Sequence, residues 1–240
     1  MPMVRANGVL AATEWETAIT AASEIISGKN VHVIASPMLS NEALFLLSEL
    51  IEHNGGRGVF RVATGDEAPL PGVEDLALRR DRAANVVGAE MLGYRRTENP
   101  LEGLGSGDVL IVADDDLEGL SIDTATLPAD VVVIGTSVPR AIASPSAVLP
   151  ITNFAEEEGT FTNLRGRVQR FTQAKAAPGM ARPSWLVLGD LLGAMGAQTQ
   201  FFLPSEVFAN MAAEKSHFAG MSYDTLGMRG LPVLQGAGAA

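Results

Sequence analysis

Apolar residues along this chain follow two rhythms, helix-spaced repeats and short unbroken runs. Trp15, Ala18, Ile19, Ala22, Ile25 and Ile26 recur at the spacing that places them on one helix face. Thr13 and Glu16 stand at capping-box spacing around the start of that helix, and Gly28 is a natural stop. The β-branched run Val31–Ala35 predicts a buried strand. Ser40 is placed to cap a second helix carrying Ala43, Leu44, Leu47, Leu50 and Ile51, closed by Asn54-Gly55-Gly56. Residues 59–63 read as the next strand. Strand, helix and strand in this order predict a parallel sheet with right-handed crossovers.

Residues 64–72 read as a loop, and 75–91 as one broken helix or two short ones. Further strands are expected at 109–113, 131–134 and, briefly, 147–149, spaced so closely that any intervening helices are short. The texture changes at Thr152. Within 160–168, Asn163-Leu164-Arg165-Gly166 marks a hairpin or tight turn. Trp185, Leu188, Leu191, Leu192 and Met195 define a helix that starts at Ser184 and ends at Gly196. Another helix runs from Pro204-Ser205 to about Ala213. The tail from Gly220 is rich in Gly and Pro, and residues 236–240 are expected to fray. The expected fold class is α/β, a mostly parallel sheet with flanking helices. Residues 1–150 form the sheet domain, and 151–240 supply the hairpin and C-terminal helices packed on it.

Composition narrows the function. With 240 residues, 47% of them hydrophobic, the chain can bury a real core. A net charge of −11 argues against nucleic acid and against anionic lipid as partners. There is no cysteine, so this chain alone builds no disulfide, thiolate nucleophile, zinc–thiolate site or cysteine-ligated iron–sulfur cluster. The opening residues lack a signal-peptide core, and no apolar stretch is long enough to span a bilayer.

Candidate chemistry is sparse. The turn Ala35-Ser36-Pro37-Met38-Leu39-Ser40 lacks the glycine spacing that lets backbone approach a pyrophosphate; a capped helix is the simpler reading than an anion site. Asp114-Asp115-Asp116 follows a strand and offers loop carboxylates to Mg²⁺, although acidic loops are ordinary in an acidic chain. His32, His53 and His217 are scattered without a second ligand at metal spacing, and His32 reads as a hydrogen-bonded strand residue. Gly189, Gly193 and Gly196 lie on a helix, where they permit close packing. The most informative stretch is Glu156-Glu157-Glu158-Gly159-Thr160-Phe161-Thr162-Asn163-Leu164-Arg165-Gly166-Arg167-Val168-Gln169. From Gly159 to Gly189 there is no acid, but Arg165, Arg167, Arg170, Lys175 and Arg182 are present. That is either a solvated face or a contact for an acidic partner surface or anionic ligand.

This stretch resembles the molybdopterin-oxidoreductase superfamily, most closely the large iron–sulfur subunit of bacterial NADH-quinone oxidoreductase (complex I). The matching residues run in order: Val148-Leu149-Pro150, Glu156, Glu158-Gly159-Thr160-Phe161, Asn163, Gly166-Arg167-Val168-Gln169, Pro178-Gly179, Arg182-Pro183 and Trp185. Pro2-Met3-Val4-Arg5, Asn7-Gly8 and 13–18 are similar to the segment that follows the iron–sulfur domain in that family. Asn85 to Gly93 is similar to its Asn-x-x-Gly-Ala segment. The family's cysteine-bearing domains and C-terminal β-barrel have no counterpart here. Catalytic relatives often carry Arg where Gly166 stands, and Arg165 replaces a usual Glu.

The resemblance implies a structural subunit or fragment of the peripheral arm of an NADH-quinone oxidoreductase. It would support electron transfer to quinone without its own redox centre or catalytic residue. Iron–sulfur clusters and FMN would sit in partner domains or subunits, and the chain would lie peripherally on the cytoplasmic side of the inner membrane. Glu156, Glu158, Gly159, Thr160, Asn163, Arg165, Gly166, Arg167, Gln169, Arg170 and Trp185 are then the family-motif or partner-facing residues. The alternative is part of a molybdopterin-dependent dehydrogenase such as formate dehydrogenase, with the 156–169 loop touching the pterin. A free-standing small-ligand domain is a third reading.

Overall fold

The computed structural model describes residues 1–120, 122, 127–128, 130–197 and 200–233. A hairpin of β1 (Met3–Ala6) and β2 (Val9–Ala12) opens the chain. Its turn is Asn7-Gly8, both at positive φ (52° and 81°), the conformation a two-residue hairpin requires. Then come α1 (Trp15–Ile26), β3 (Val31–Ala35), α2 (Asn41–Asn54) and β4 (Gly56–Phe60). A small hairpin, β5 (Ala68–Leu70) and β6 (Val73–Leu78), precedes α3 (Val86–Met91) and β7 (Arg95–Arg96). Three sheet strands follow, β8 (Val109–Ala113), β9 (Asp130–Gly135) and β10 (Ala147–Pro150). The hairpin β11 (Gly159–Thr162) and β12 (Arg167–Phe171) leads to α4 (Ser184–Ala194) and α5 (Pro204–Glu214). The last elements are a 3-10 turn at Ser216–Phe218, α6 (Tyr223–Leu226) and β13 (Leu231–Pro232).

The main sheet has the order β2-β1-β10-β9-β8-β3-β4-β7. Strands β10 to β7 are all parallel, and only the β1–β2 hairpin at one edge is antiparallel. The α/β class with a mostly parallel sheet and flanking helices is therefore the observed architecture. Alternation along the strands sorts the core. Val31, Val33 and Ala35 face one side with Ile111 and Val132, under α1, α2, α4 and α5. Ile34, Leu110, Val112, Val131 and Val133 face the other side, covered by loop residues such as Leu117 and Ile142. Among the described residues there is no helix between β8 and β9 or between β9 and β10, where the sequence left room for short ones only. The helix-face core joins Val33 to Val168, Trp185 and Phe208, so the sheet and the later segments share one apolar interior.

Other expectations need correction. The N-cap of α1 is Glu14, without a side-chain cap bond, so Thr13 and Glu16 form no capping box. Strand β4 begins three residues earlier than expected and ends at Phe60. Pairing with β3 decides this: Gly56 sits opposite Val31 at φ 132°, where a Cβ would lie 2.0 Å from the Val31 carbonyl oxygen. Residues 61–63 leave the sheet because Arg61 turns toward Asp115. The loop at 64–72 contains β5, and the start of the expected 75–91 helix is strand β6, paired with Ala68 through Leu78. A local hairpin there outcompetes helix spacing. The N-terminal hairpin, α6 and β13 are absent from the sequence-based expectation. The expected fraying of 236–240 falls outside the described residues. Among the described residues, no helix is long and apolar enough to cross a membrane.

Gly56→Ala should lower stability by at least about 2 kcal/mol, because the added carbon meets backbone that cannot yield. Urea unfolding of the two chains measures this.

Candidate functional site

An open parallel sheet leaves a crevice at the carboxyl ends of its strands where the strand order reverses, and ligands bind there. Across the sheet the parallel strands run β7-β4-β3-β8-β9-β10, so the reversal falls between β3 and β8. A cavity of about 740 Å³ opens at that point, walled by residues 36–38, 61–63, 114–116 and 136–137. It is acidic. Asp114 has φ 53°, and its Oδ1 accepts from Thr136 N–H at 2.9 Å and Thr136 Oγ1 at 2.8 Å. Burial raises the Asp114 pKa above the usual carboxylate range, and Asp115 and Asp116 push it the same way. Leu117 also has positive φ, 55°, held there by burial in the second-face core.

One arginine fixes this loop. Arg61 donates to Asp115 Oδ1 at 2.9 and 3.0 Å, to Asp116 Oδ1 at 2.9 Å and to the Glu118 carbonyl at 2.6 Å. Its guanidinium is therefore spent on the protein. The β3–α2 turn is also internally satisfied. Met38 N–H donates to Ser36 Oγ, Leu39 N–H to the Ser36 carbonyl and Ala43 N–H to Ser40 Oγ. The capped-helix reading of this turn holds, and its bonded amides offer the crevice no anion cradle. The described residues gather no three metal-ligating side chains, so Asp114-Asp115-Asp116 forms no cation cage. His32 is structural: Arg57 Nε donates to its Nδ1 at 2.9 Å, so Nε2 carries the hydrogen and donates to the Pro100 carbonyl at 2.6 Å. Burial lowers its pKa.

A second polar constellation lies inside the protein, where the β11–β12 hairpin meets the first turn of α2. Glu42 is fully buried. Its carboxylate accepts from Thr160 N–H at 2.8 Å, Thr160 Oγ1 at 3.0 Å and the Tyr223 hydroxyl at 2.9 Å. Asn41 Nδ2 reaches Thr160 Oγ1 at 3.0 Å and Thr162 Oγ1 at 3.1 Å. Asn85 Oδ1 accepts from Thr162 N–H at 2.8 Å, while its Nδ2 donates to the Leu39 carbonyl. Two glycines make room: a Cβ on Gly159 would stand 2.9 Å from Ser40 Cβ, and one on Gly88 2.3 Å from Asn41 Oδ1. Nearby, Glu157 accepts from Ser184 N–H, Ser184 Oγ and Thr152 Oγ1 at 2.6, 2.8 and 2.9 Å. Glu157 thus ties the start of α4 to the end of the main sheet. Burial raises both carboxyl groups to about 7, against the pull of their hydrogen bonds, and Asp114 adds to the rise at Glu157.

The motif residues divide accordingly. Glu156, Gly159, Thr160 and Trp185 are buried within the chain. Glu156 pairs with Lys175 at 2.8 Å. Asn163 accepts from Arg165 N–H and Arg167 N–H and donates to Gln169 Oε1, closing the hairpin turn. Arg167 donates to the Gly230 carbonyl. Glu158 pairs with Arg170, whose guanidinium lies 4.8 Å from the Tyr223 ring centre. Arg165 is exposed and makes no ion pair among the described residues. Gly166 has φ 66°, which the turn requires, so backbone geometry accounts for glycine there without reference to a family branch. Sequence reasoning missed Arg61, Asn41, Glu42 and Tyr223, and named Asn85 only as the start of a family-like segment. Glu42 was detectable: it lies one turn before the apolar Leu46 on the face that packs inward.

Comparison with known proteins bears on the same stretch. Residues 121–194 match the molybdopterin oxidoreductase family. The alpha subunit of F420-dependent formate dehydrogenase 2 from Methanococcus maripaludis is 46% identical over 86 residues, 35% of this chain and 13% of that protein. A putative formate dehydrogenase of Bacillus subtilis is 40% identical over 79 residues, 33% of this chain and 8% of that protein. The chain thus matches about an eighth or less of the length of these relatives. The findings support the molybdopterin-oxidoreductase superfamily. They do not support identity with the large iron–sulfur subunit of complex I, and the relatives are formate dehydrogenases instead.

The two buried carboxyl groups give a pH signature. A folded pKa of about 7 against an ordinary 4.5 means that folding favours the protonated form. Their stabilisation is complete below about pH 4.5 and is lost as pH rises toward and through 7, by about 3 kcal/mol for each group. Glu42→Gln should remove about half of that slope between pH 5 and 7.5, read from denaturant midpoints. An unchanged slope contradicts the assignment, whatever the absolute stability.

Proposed function

We propose that this chain is part of a molybdopterin-dependent dehydrogenase of the formate dehydrogenase kind, in which the β3–β8 crevice forms one wall of the cofactor site. The observation that carries this reading is placement. Residues 121–194, matched to the molybdopterin oxidoreductase family, include Thr136 and Ser137 of the crevice wall and Glu157, which feels the charge of Asp114.

The crevice residues fit part of such a cofactor. Pterin and guanine rings present adjacent N–H donors on one edge, and carboxylates such as Asp114 and Asp116 are the acceptors that suit them. They do not fit a diphosphate. Arg61 is spent on Asp115 and Asp116, Arg82 donates to the Arg79 and Asp66 carbonyls, the Met38 and Leu39 amides are bonded internally, and Glu98 and Glu118 line the same cavity. Phosphate contacts would then come from other parts of the assembly. When bound, the cofactor carries the metal at which the substrate is oxidised. This chain's own residues orient the ring edge, while Arg61 keeps the acidic loop from collapsing into the cavity. It offers no thiolate to the metal.

The scaffold role in an NADH-quinone oxidoreductase arm, with iron–sulfur clusters and FMN in partner subunits, rests on motif resemblance alone. Elemental analysis of the native assembly separates the two. The dehydrogenase reading expects about one molybdenum or tungsten per copy of this chain. It also expects the double substitution Asp114→Asn and Asp116→Asn to lower retained metal several-fold at unchanged assembly. A metal-free assembly that passes electrons from NADH would overturn it in favour of the scaffold.

A further inference from the structure

A second concavity, of about 1000 Å³, borders the crevice at Ala83 and lies between the outer face of the β11–β12 hairpin, α3 and the segment after β6. Its floor is aromatic. The Phe161 and Phe171 rings stand 4.6 Å apart, and Phe154 continues the row 6.3 Å from Phe161. Three of the nine phenylalanines in the chain therefore sit at this surface, and none of these three is fully buried. Phe154 is 49% exposed and Leu164, at the hairpin tip, 63%. Such a cluster has the composition of an interface centre more than of solvated surface.

Its charged rim is unlike the rest of the molecule. In a chain with 28 acids and 17 bases, four arginines line this groove against Glu67, Asp81 and Glu90. Arg96 is held by Asp81 with two bonds of 2.7 Å, and Arg170 by Glu158. Arg79 and Arg80 are exposed, and neither guanidinium makes an ion pair among the described residues. Unpaired arginines beside stacked aromatics fit carboxylates next to an apolar anchor.

We infer that this groove docks an acidic polypeptide segment of a partner, which inserts an apolar side chain against Phe161 and Phe171 and sets carboxylates on Arg79 and Arg80. The inference rests on the reading that the chain works within an assembly, but metal content and groove binding are measured separately, so either can fail alone.

The test is fluorescence anisotropy on the full chain. One probe is a labelled peptide rich in Asp and Glu around one central Phe; the other is the same peptide with Lys at every acidic position. The acidic probe should bind at least about tenfold more tightly than the basic one. The double substitution Arg79→Glu and Arg80→Glu should weaken it about tenfold or more, and Leu164→Asp should weaken it as well. Circular dichroism verifies that both variants are folded. No binding of the acidic probe, equal binding of the two probes, or affinity untouched by the charge reversal would overturn the proposal. Displacement of the probe by guanosine diphosphate would overturn it too, since the groove would then be a nucleotide site.

Discussion

The buried carboxylate of Glu42 is the constraint on which the arrangement depends. It lies in the first turn of α2, where the helix dipole favours a negative group, and it is cut off from water. Among the described residues no cation pairs with it. Its compensation is three hydrogen-bond donors from elements distant in sequence: two from Thr160 on β11 and one from Tyr223 on α6. Asn41 and Asn85 extend the network to Thr162. Unmaking any one of these contacts leaves a polar group buried without its partner, which is costlier than never having placed it there. The hairpin therefore has one permitted seat on the sheet domain.

That seat has consequences for the crevice. With the hairpin fixed, Glu157 reaches the start of α4 and the Thr152 hydroxyl just beyond β10, and α4 packs against α1 and α2. The helix layer then holds β3 and β8 from one side while loop residues cover the other. The acidic loop after β8 is kept open by Arg61, with positive φ at Asp114 and Leu117. A motif that reads as a surface signature thus has buried members in Glu156, Gly159, Thr160 and Trp185, while Phe161, Phe171 and Leu164 form a separate outer surface.

The parts of the fold legible in the sequence are those governed by local pattern. Strands β3 and β8 are short runs rich in Val and Ile, α2 and α4 carry helix-spaced apolar faces, and Asn163 with Gly166 marks the hairpin turn. What was hidden depends on contacts between distant residues. Strand β4 begins with glycines of poor strand propensity, because only glycine fits against Val31. Asn41 and Glu42 look like ordinary cap and surface residues until Thr160 and Thr162 are brought to them, and Asn85 is marked only by resemblance. The crevice is invisible locally, since strand order alone creates it. The resemblance pointed to the superfamily that residues 121–194 also match, but within it to complex I, which the formate dehydrogenase relatives do not support.

Hydrogen exchange followed residue by residue reads the central claim most directly. The amide hydrogens of Thr160 and Thr162, bonded to Glu42 and Asn85, should exchange only with global unfolding, at the same limiting rate as Ile111 in the middle of β8. If those two amides exchange by local opening while β3 and β8 stay protected, the hairpin is an appendage and Glu42 does not hold the molecule together.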